Sequence, residues 1–334
     1  MKATIKSTRN LSLECCKLLA ASFVVFLHIP FPGTFGRQVV YLSRFAVPLF
    51  FAVSGWFSFG VSADKLKKRL GHILLLELTG ELVYMTWWVG MDCFWGEPFY
   101  QSLMRHLPDM NALKLWLLWN VDPFSGHLWY LSATALCYAV LWVYRRITGE
   151  KKDYRPLYIL SVFLLLGCFA MGEFSGLTGL NVDYRIYRSG IFTGIPLFFM
   201  GVFLRDNRQK LIGWGLPLLV LGVALSLLEG KYIGFYDLYI GSVLTAAAVL
   251  LLTDRYPAVP GWLAKPAASF GSVSTTVYLL HLLIQYIYQT FFQWWTVTYM
   301  ARQEAWLQPL LILGVSMIIG FGWNALQMRI RKTK

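Results

Sequence analysis

Residues 14–28 read E-C-C-K-L-L-A-A-S-F-V-V-F-L-H. The run is apolar and of the kind that crosses a bilayer, yet it carries two ionisable side chains, Lys17 and His28. On a helix, eleven residues are three turns plus about 20°, roughly 16 Å of rise along nearly one face. A cation and an imidazole each cost at least a few kcal/mol in hydrocarbon, and a helix that only anchors a protein has no use for either. One face of this helix is therefore expected to line a polar site.

The rest of the chain agrees with a membrane setting. Of 334 residues, 57% are hydrophobic and 14% are charged, and the mean hydropathy is +0.54. Soluble domains carry about 25% charged residues, so the class is polytopic membrane protein. The 14 Trp and 18 Tyr suit interfacial belts. Of five cysteines, Cys15, Cys16, Cys137 and Cys168 lie in apolar runs and only Cys93 in a loop, so no disulfide framework is expected. Lys2, Lys6 and Arg9 ahead of an apolar run resemble a signal peptide. The following I-P-F-P-G-T-F offers no small-x-small cleavage site, and the segment reads as a retained span.

Apolar runs of bilayer-crossing length fall near 11–29, 41–61, 70–90, 127–147, 156–172, 189–204, 211–228, 235–253, 274–296 and 310–328. The expectation is an all-α polytopic protein of about ten transmembrane helices, one membrane domain over 1–334. With the N-terminus inside, the inner segments hold 21 Lys and Arg and the outer segments 7, with Lys17 and Arg44 inside spans. That bias over short loops places both termini in the cytoplasm. The net charge of +13 is thus spread over loop ends and forms no single basic face, which excludes a nucleic-acid partner. The long outer connection 91–126 contains L-W-L-L-W and predicts a re-entrant or interfacial helix.

Several residues are of a type that carries chemistry. His28, near the outer end of the first span, reads as an interfacial histidine or as a general base or acid, since imidazole titrates near neutrality. Lys17 snorkels, pairs with Glu14 one turn earlier, or serves a site together with His28. Glu77 and Glu81 stand one turn apart in the third span. Two carboxylates there cannot both stay charged without partners, which leaves structural pairing with Lys17 or Arg44, or a proton or cation relay. His127 opens the fourth span, His281 lies deep in the ninth, and Asp183, Arg185, Arg188 and Asp237 suggest an outer vestibule for an anionic or hydroxylated ligand. Pro48-Leu49-Phe50-Phe51 and Pro196-Leu197-Phe198-Phe199 echo one another, each a few residues after an arginine, Arg44 and Arg188. No P-loop, dinucleotide turn, H-E-x-x-H or C-x-x-C is present, so nucleotide hydrolysis and a metal centre are not expected.

Five elements in order carry a family resemblance: Lys17-x10-His28; R-F-A-V-P-L-F-F-A-V-S-G-W-F from Arg44; H-L-W-Y-L from His127; R-S-G-I-F-T-G-I-P-L-F-F-M-G from Arg188; and V-Y-L-L-H ending at His281. Together they resemble the acyltransferase type 3 family of integral membrane proteins, over about residues 9–328. The chain looks particularly like the membrane half of the serine racemases of vancomycin-resistance systems, without a racemase domain after the tenth span. The resemblance implies transfer of an acyl group, usually acetyl, from cytoplasmic acyl-CoA to a hydroxyl of a surface glycan or other extracytoplasmic acceptor at the cell membrane. It makes His28 the base that deprotonates the acceptor, puts Lys17 on the CoA side, and has Arg44 and Arg188 shape the outer cavity. Lys17 stands where the family usually has arginine, keeping the charge and losing the bidentate fork. The substrate-binding set expected around this pair is Arg44, Arg188, His127, His281, Glu77 and Glu81. The competing expectation is a transporter or exchanger for serine or a similar amino acid, motivated by Glu77, Glu81 and the racemase-linked branch. A scaffold for a catalytic partner is the third.

Overall fold

The computed structural model describes residues 9–149, 153–300 and 303–332. Lys2 and Lys6, counted above in the inner N-terminal segment, lie outside the described residues, as do Lys151, Lys152, Arg302 and Lys334. Among the described residues every regular element is a helix. In chain order they are α1 (Leu11–His28), α2 (Gly33–Ser43), α3 (Ala46–Trp56), α4 (Ala63–Phe94), α5 (Phe99–His106), α6 (Met110–Trp119), α7 (Trp129–Ile147) and α8 (Arg155–Met171). Two one-turn pieces, α9 (Ser175–Thr178) and α10 (Tyr184–Tyr187), lead through a π turn at Gly190–Gly194 into α11 (Ile195–Asp206). The chain closes with the short α12 (Arg208–Leu211), then α13 (Gly215–Tyr232), α14 (Ile240–Arg255), α15 (Gly261–Phe291), α16 (Gln293–Met300) and α17 (Glu304–Lys332).

Among the described residues, five stretches are long and apolar enough to cross a membrane: Leu11–His28, Gly33–Trp56, Arg208–Tyr232, Gly261–Phe291 and Glu304–Ile330. The ten expected runs all fall largely on helix, with shifted edges. The ninth starts at Gly261 rather than 274, because the helix continues through Lys265 and Pro266 before its apolar part begins. The second is two helices, broken by a turn at Arg44–Phe45. Pro48 then falls in the first turn of α3, where its missing N–H costs no intrahelical bond.

Burial runs opposite to that of a water-soluble helix. On α4, Glu77, Gly80, Glu81 and Tyr84 are buried at i, i+3, i+4 and i+7, while Leu74, Leu75, Leu78 and Leu82 are exposed. On α8 the exposed side chains include Ile159, Leu160, Val162, Phe163 and Leu166. A helix that buries carboxyls and turns leucines outward is at home in hydrocarbon and not in water.

The chain forms two compact units. The first comprises 1–49, 208–231 and 240–334; the second comprises 50–207 and 232–239. In the first, α1 lies along α15 and α15 along α17. Helices α13 and α14 meet at glycines: a Cβ on Gly222 would fall 2.5 Å from Thr245 Oγ1, and one on Gly241 would fall 2.3 Å from the Ser226 nitrogen. In the second unit, α4 packs on α7, and α8 and α7 flank the π turn and α11. The echoed proline motifs find their use here. Gly55 of α3 sits where a Cβ would lie 1.7 Å from the Phe198 carbonyl oxygen, and Gly201 of α11 where one would lie 1.9 Å from that of Ala52. The two helices cross backbone to backbone, the small-residue contact by which helices associate where the hydrophobic effect does not drive them.

Candidate functional site

The first unit holds the lysine–histidine face of α1. Asn10 caps this helix, its side-chain oxygen accepting from the Leu13 N–H at 2.9 Å. Lys17 Nζ donates to Glu14 Oε1 at 2.8 Å, and Arg9 lies 3.2 Å from Glu14 Oε2. The pairing with Glu14 read from the i, i+3 spacing is thus present. Both ends of the pair rest against α15 at Gly271, where a Cβ would stand 2.1 Å from Glu14 Oε2 and 2.7 Å from Lys17 Nζ. Glycine at that position is what lets the ion pair lie between the two helices. Lys17 keeps a side-chain exposure of 19%, so the ammonium is sheltered but reachable.

Three turns further on, His28 is the last helical residue of α1, half-buried, at the end where the carbonyl dipoles favour a cation. His281 of α15 comes to it across 253 residues of sequence. The two ring centroids are 5.2 Å apart with 41° between planes, and His281 is fully buried. The structure thus brings His28 and His281 together. Lys17 stands apart from them along α1, at the opposite end of the α1–α15 contact. Arg44, half-buried, occupies the C-cap of α2.

The second unit holds the carboxyls and the remaining candidates. Glu77 accepts from Trp116 Nε1 at 2.8 Å, and Glu81 accepts from the Phe124 backbone N–H at 3.3 Å. Trp116 belongs to α6 in the 91–126 connection, and Glu77 lies 17 residues before the end of α4, about 25 Å down its axis. Trp116 thus brings α6 against α4 well before that helix ends. Asn120 ends it in the left-handed region (φ 57°, ψ 38°), and its Oδ1 accepts the Gly190 N–H at 2.8 Å, tying α6 to the π turn. Asp122 follows, 6% exposed, with both carboxyl oxygens buried, and it interacts electrostatically with Glu81 and Glu77.

His127 is buried beside this group, its Nδ1 2.8 Å from Ser125 Oγ and its Nε2 3.5 Å from the Tyr84 hydroxyl. Arg188 stacks its guanidinium 5.1 Å from the Trp129 ring centre, a cation–π contact that ties two of the sequence motifs together. Asp183 and Arg185 pair with one another, with Arg185 Nε 2.8 Å from Asp183 Oδ2. The Arg185 contacts hold the Asp183 carboxyl down at about 2, and Asp183 also caps α10. Of the expected vestibule, Asp183 and Arg185 are thus engaged with one another, and Arg188 with Trp129. Nearer the C-terminal end of α4, a cavity of about 570 Å³ is lined by Trp88, Arg105, His106, Asp109 and Phe124. Its His106 is fixed by Asp92 at 2.9 Å.

Sequence reading missed Trp116, Asn120, Asp122 and the cavity around His106. Of these, only the L-W-L-L-W run gave a signal.

A family profile described as an acyltransferase domain matches residues 10–323. The chain belongs to the acyltransferase 3 family. Every motif from Lys17 to His281 lies within the matched residues. Among curated proteins, the chain is similar to an amino-acid racemase of Enterococcus faecalis, 24% identical in an alignment of 213 residues that covers 59% of this chain and 28% of that protein. The match therefore spans little more than a quarter of the relative's length. No solved structure matches the chain. The family and the outward-facing leucines together make this a membrane protein of acyltransferase type.

Proposed function

We propose that the protein is a cell-membrane O-acyltransferase that moves an acyl group, acetyl in the first instance, from cytoplasmic acyl-CoA to a hydroxyl of a cell-surface glycan or another extracytoplasmic acceptor. The chain crosses the bilayer ten times, with both termini in the cytoplasm. The observation that carries the reading is the acyltransferase-domain match over 10–323, with Lys17 and His28 on one face of α1.

His28 takes the acceptor's hydroxyl proton as the oxygen attacks the thioester carbonyl. The tetrahedral intermediate collapses with loss of CoA thiolate, which recovers the proton from the imidazolium. The products are an O-acyl ester and CoA-SH. Lys17 faces the cytoplasmic side, where a cation suits the CoA phosphates. Arg44, in the same unit as His28, shapes the acceptor side. No metal enters the chemistry.

Replacing Lys17 by alanine leaves Glu14 with Arg9, so the fold is kept. Its dissociation constant for radiolabelled acetyl-CoA is expected to rise about tenfold, or ~1.4 kcal/mol, while Lys17→Arg stays within about threefold of wild type. Unchanged binding in Lys17→Ala would place the donor elsewhere.

A second reading, transport or exchange of serine or a similar amino acid, is favoured by one observation: Glu77, Glu81 and Asp122 gathered beside α6. Intramembrane carboxyls grouped in this way serve proton- or cation-coupled movement in many carriers. On that reading, liposomes holding the protein show serine flux that Glu81→Gln abolishes. On the acyltransferase reading, the wild-type flux trace is flat.

A further inference from the structure

Helix α5 sorts its side chains into three directions. At about 100° per residue, Ser102 and His106 point one way, Gln101 and Arg105 a second, and Phe99, Tyr100, Leu103 and Met104 a third, with about 100–150° between them. The first direction meets protein. Ser102 is buried, its hydroxyl donates to Asp92 Oδ2 at 2.8 Å, and His106 Nε2 lies 2.9 Å from the same oxygen. Asp92 stands near the C-terminal end of α4, so one carboxylate holds this side of α5 down on that helix. The second direction is polar and open: Gln101 is exposed, and the exposed Arg105 pairs with Glu97 and lies 3.5 Å from Asp92. The third is apolar and equally open. Phe99 is 63% exposed and Tyr100 69%, and Met104 is exposed with them. Phe94 and Trp95 just before α5, and Leu107 and Met110 just after it, are exposed as well.

An open apolar patch of this kind marks a surface that something covers, and three observations say what. The patch begins where α4 ends, and α4 carries the outward-facing Leu74, Leu75, Leu78 and Leu82. Phe94 and Trp95 thus continue in sequence a helix already fitted to hydrocarbon, and α5 packs on that helix. Next, the patch is rich in aromatic rings, and Trp and Tyr gather at the headgroup level, where one end of the ring is apolar and the other wet. Last, the three-way division has one natural setting. A helix immersed in hydrocarbon has no open polar side, and a helix in water has no open apolar side. A helix lying along the membrane surface meets protein, water and acyl chains at once.

We propose that α5, with Phe94 and Trp95 before it, lies in the headgroup layer of the bilayer, with Phe99, Tyr100 and Met104 against the acyl chains and Asp92 fixing its rotation. The occupant of the apolar face is lipid. Arg105 is already engaged by Glu97 and Asp92, so attachment comes from apolar burial and needs no anionic lipid. The cavity lined by Arg105, His106 and Asp109 then lies beside the membrane surface. None of this depends on which reaction the protein performs.

The test uses the full chain in vesicles of phosphatidylcholine alone. The photoreactive amino acid p-benzoylphenylalanine is placed singly at Phe99, Tyr100, Gln101 or Leu75, all of them exposed. After illumination, adducts are read by intact mass and by gel. Positions 99 and 100 are expected to carry a phospholipid at a yield within about threefold of that at Leu75, and Gln101 at about a fifth of it or less. A covalent dimer at 99 or 100 in place of the lipid adduct assigns the face to a second copy and overturns the inference. So does the absence of any adduct there, the result for a face open to water, and so does an equal yield at 99, 100 and 101. If the photoreactive variants do not fold, Trp95 decides alone. The emission lost in Trp95→Tyr is expected to be quenched at least about twofold more by phosphatidylcholine brominated high on the acyl chain than by lipid brominated near its end. Equal or absent quenching overturns the inference.

Discussion

The His28→Ala protein is expected to fold, to bind acyl-CoA and to turn over at least about 100-fold more slowly than the wild type, the scale of a lost general base. His28 is the last residue of α1 and half-buried, so removing its ring empties a site at the helix end rather than a packed core. The neighbours that hold the helix are unaffected: Val24 and Val25 remain buried, and the Ile29 N–H still bonds to the Val25 carbonyl. Donor binding is assigned to the Lys17 end, roughly 16 Å away along the axis, and should persist. The outcome to look for is therefore a fall in kcat with little change in the acetyl-CoA dissociation constant. A variant that retains wild-type turnover would remove His28 from the chemistry. A variant that loses donor binding as well would mean the two ends of α1 serve a single contact.

The second large effect is on folding. Gly55→Val is expected to leave little folded protein, because its Cβ would lie 1.7 Å from the Phe198 carbonyl oxygen and 3.2 Å from the Val202 nitrogen. The obstacle is backbone on α11, which no side-chain rotation relieves, so α3 and α11 must separate along their crossing. Overpacking relieved by side chains costs about 1–3 kcal/mol; here backbone meets backbone and the expected cost is about 5 kcal/mol or more, which reaches the low end of the ~5–15 kcal/mol margin of folded proteins. Gly201→Val, facing the Ala52 carbonyl, should behave alike. Gly71→Val and Gly90→Val, with no atom within 4 Å of the added Cβ, serve as controls and should be tolerated. The measurement is the yield of monodisperse protein after detergent extraction, together with its melting temperature. A Gly55→Val protein that melts with the wild type would show that the crossing is looser than described.

How much of this was legible in the sequence differs from residue to residue. The apolar runs predicted helix in the right places because hydropathy measures what faces lipid. They misplaced helix ends, as at Gly261 and at the Arg44–Phe45 break, because a helix can continue past its apolar part or stop inside it. The Glu14–Lys17 pair follows from i, i+3 spacing and was expected. The His28–His281 contact did not follow from spacing, since nothing local to an isolated histidine in an apolar run says which helix it will meet. Asp122 was passed over for a related reason. In N-V-D-P-F it reads as an ordinary turn acid, and only the packing of α6 and the turn after it against α4 carries it to Glu81. The repeated P-L-F-F motif was visible, but its use lies in the glycines that follow, Gly55 and Gly201, where two backbones touch.

The most direct test of the central claim is a binding and turnover measurement with radiolabelled acetyl-CoA on purified, folded wild-type protein in proteoliposomes. The account predicts saturable binding and release of free CoA, with the acetyl group passed slowly to water when no acceptor is supplied, and binding without release in His28→Ala. Folded wild-type protein that neither binds acetyl-CoA nor releases CoA would contradict it.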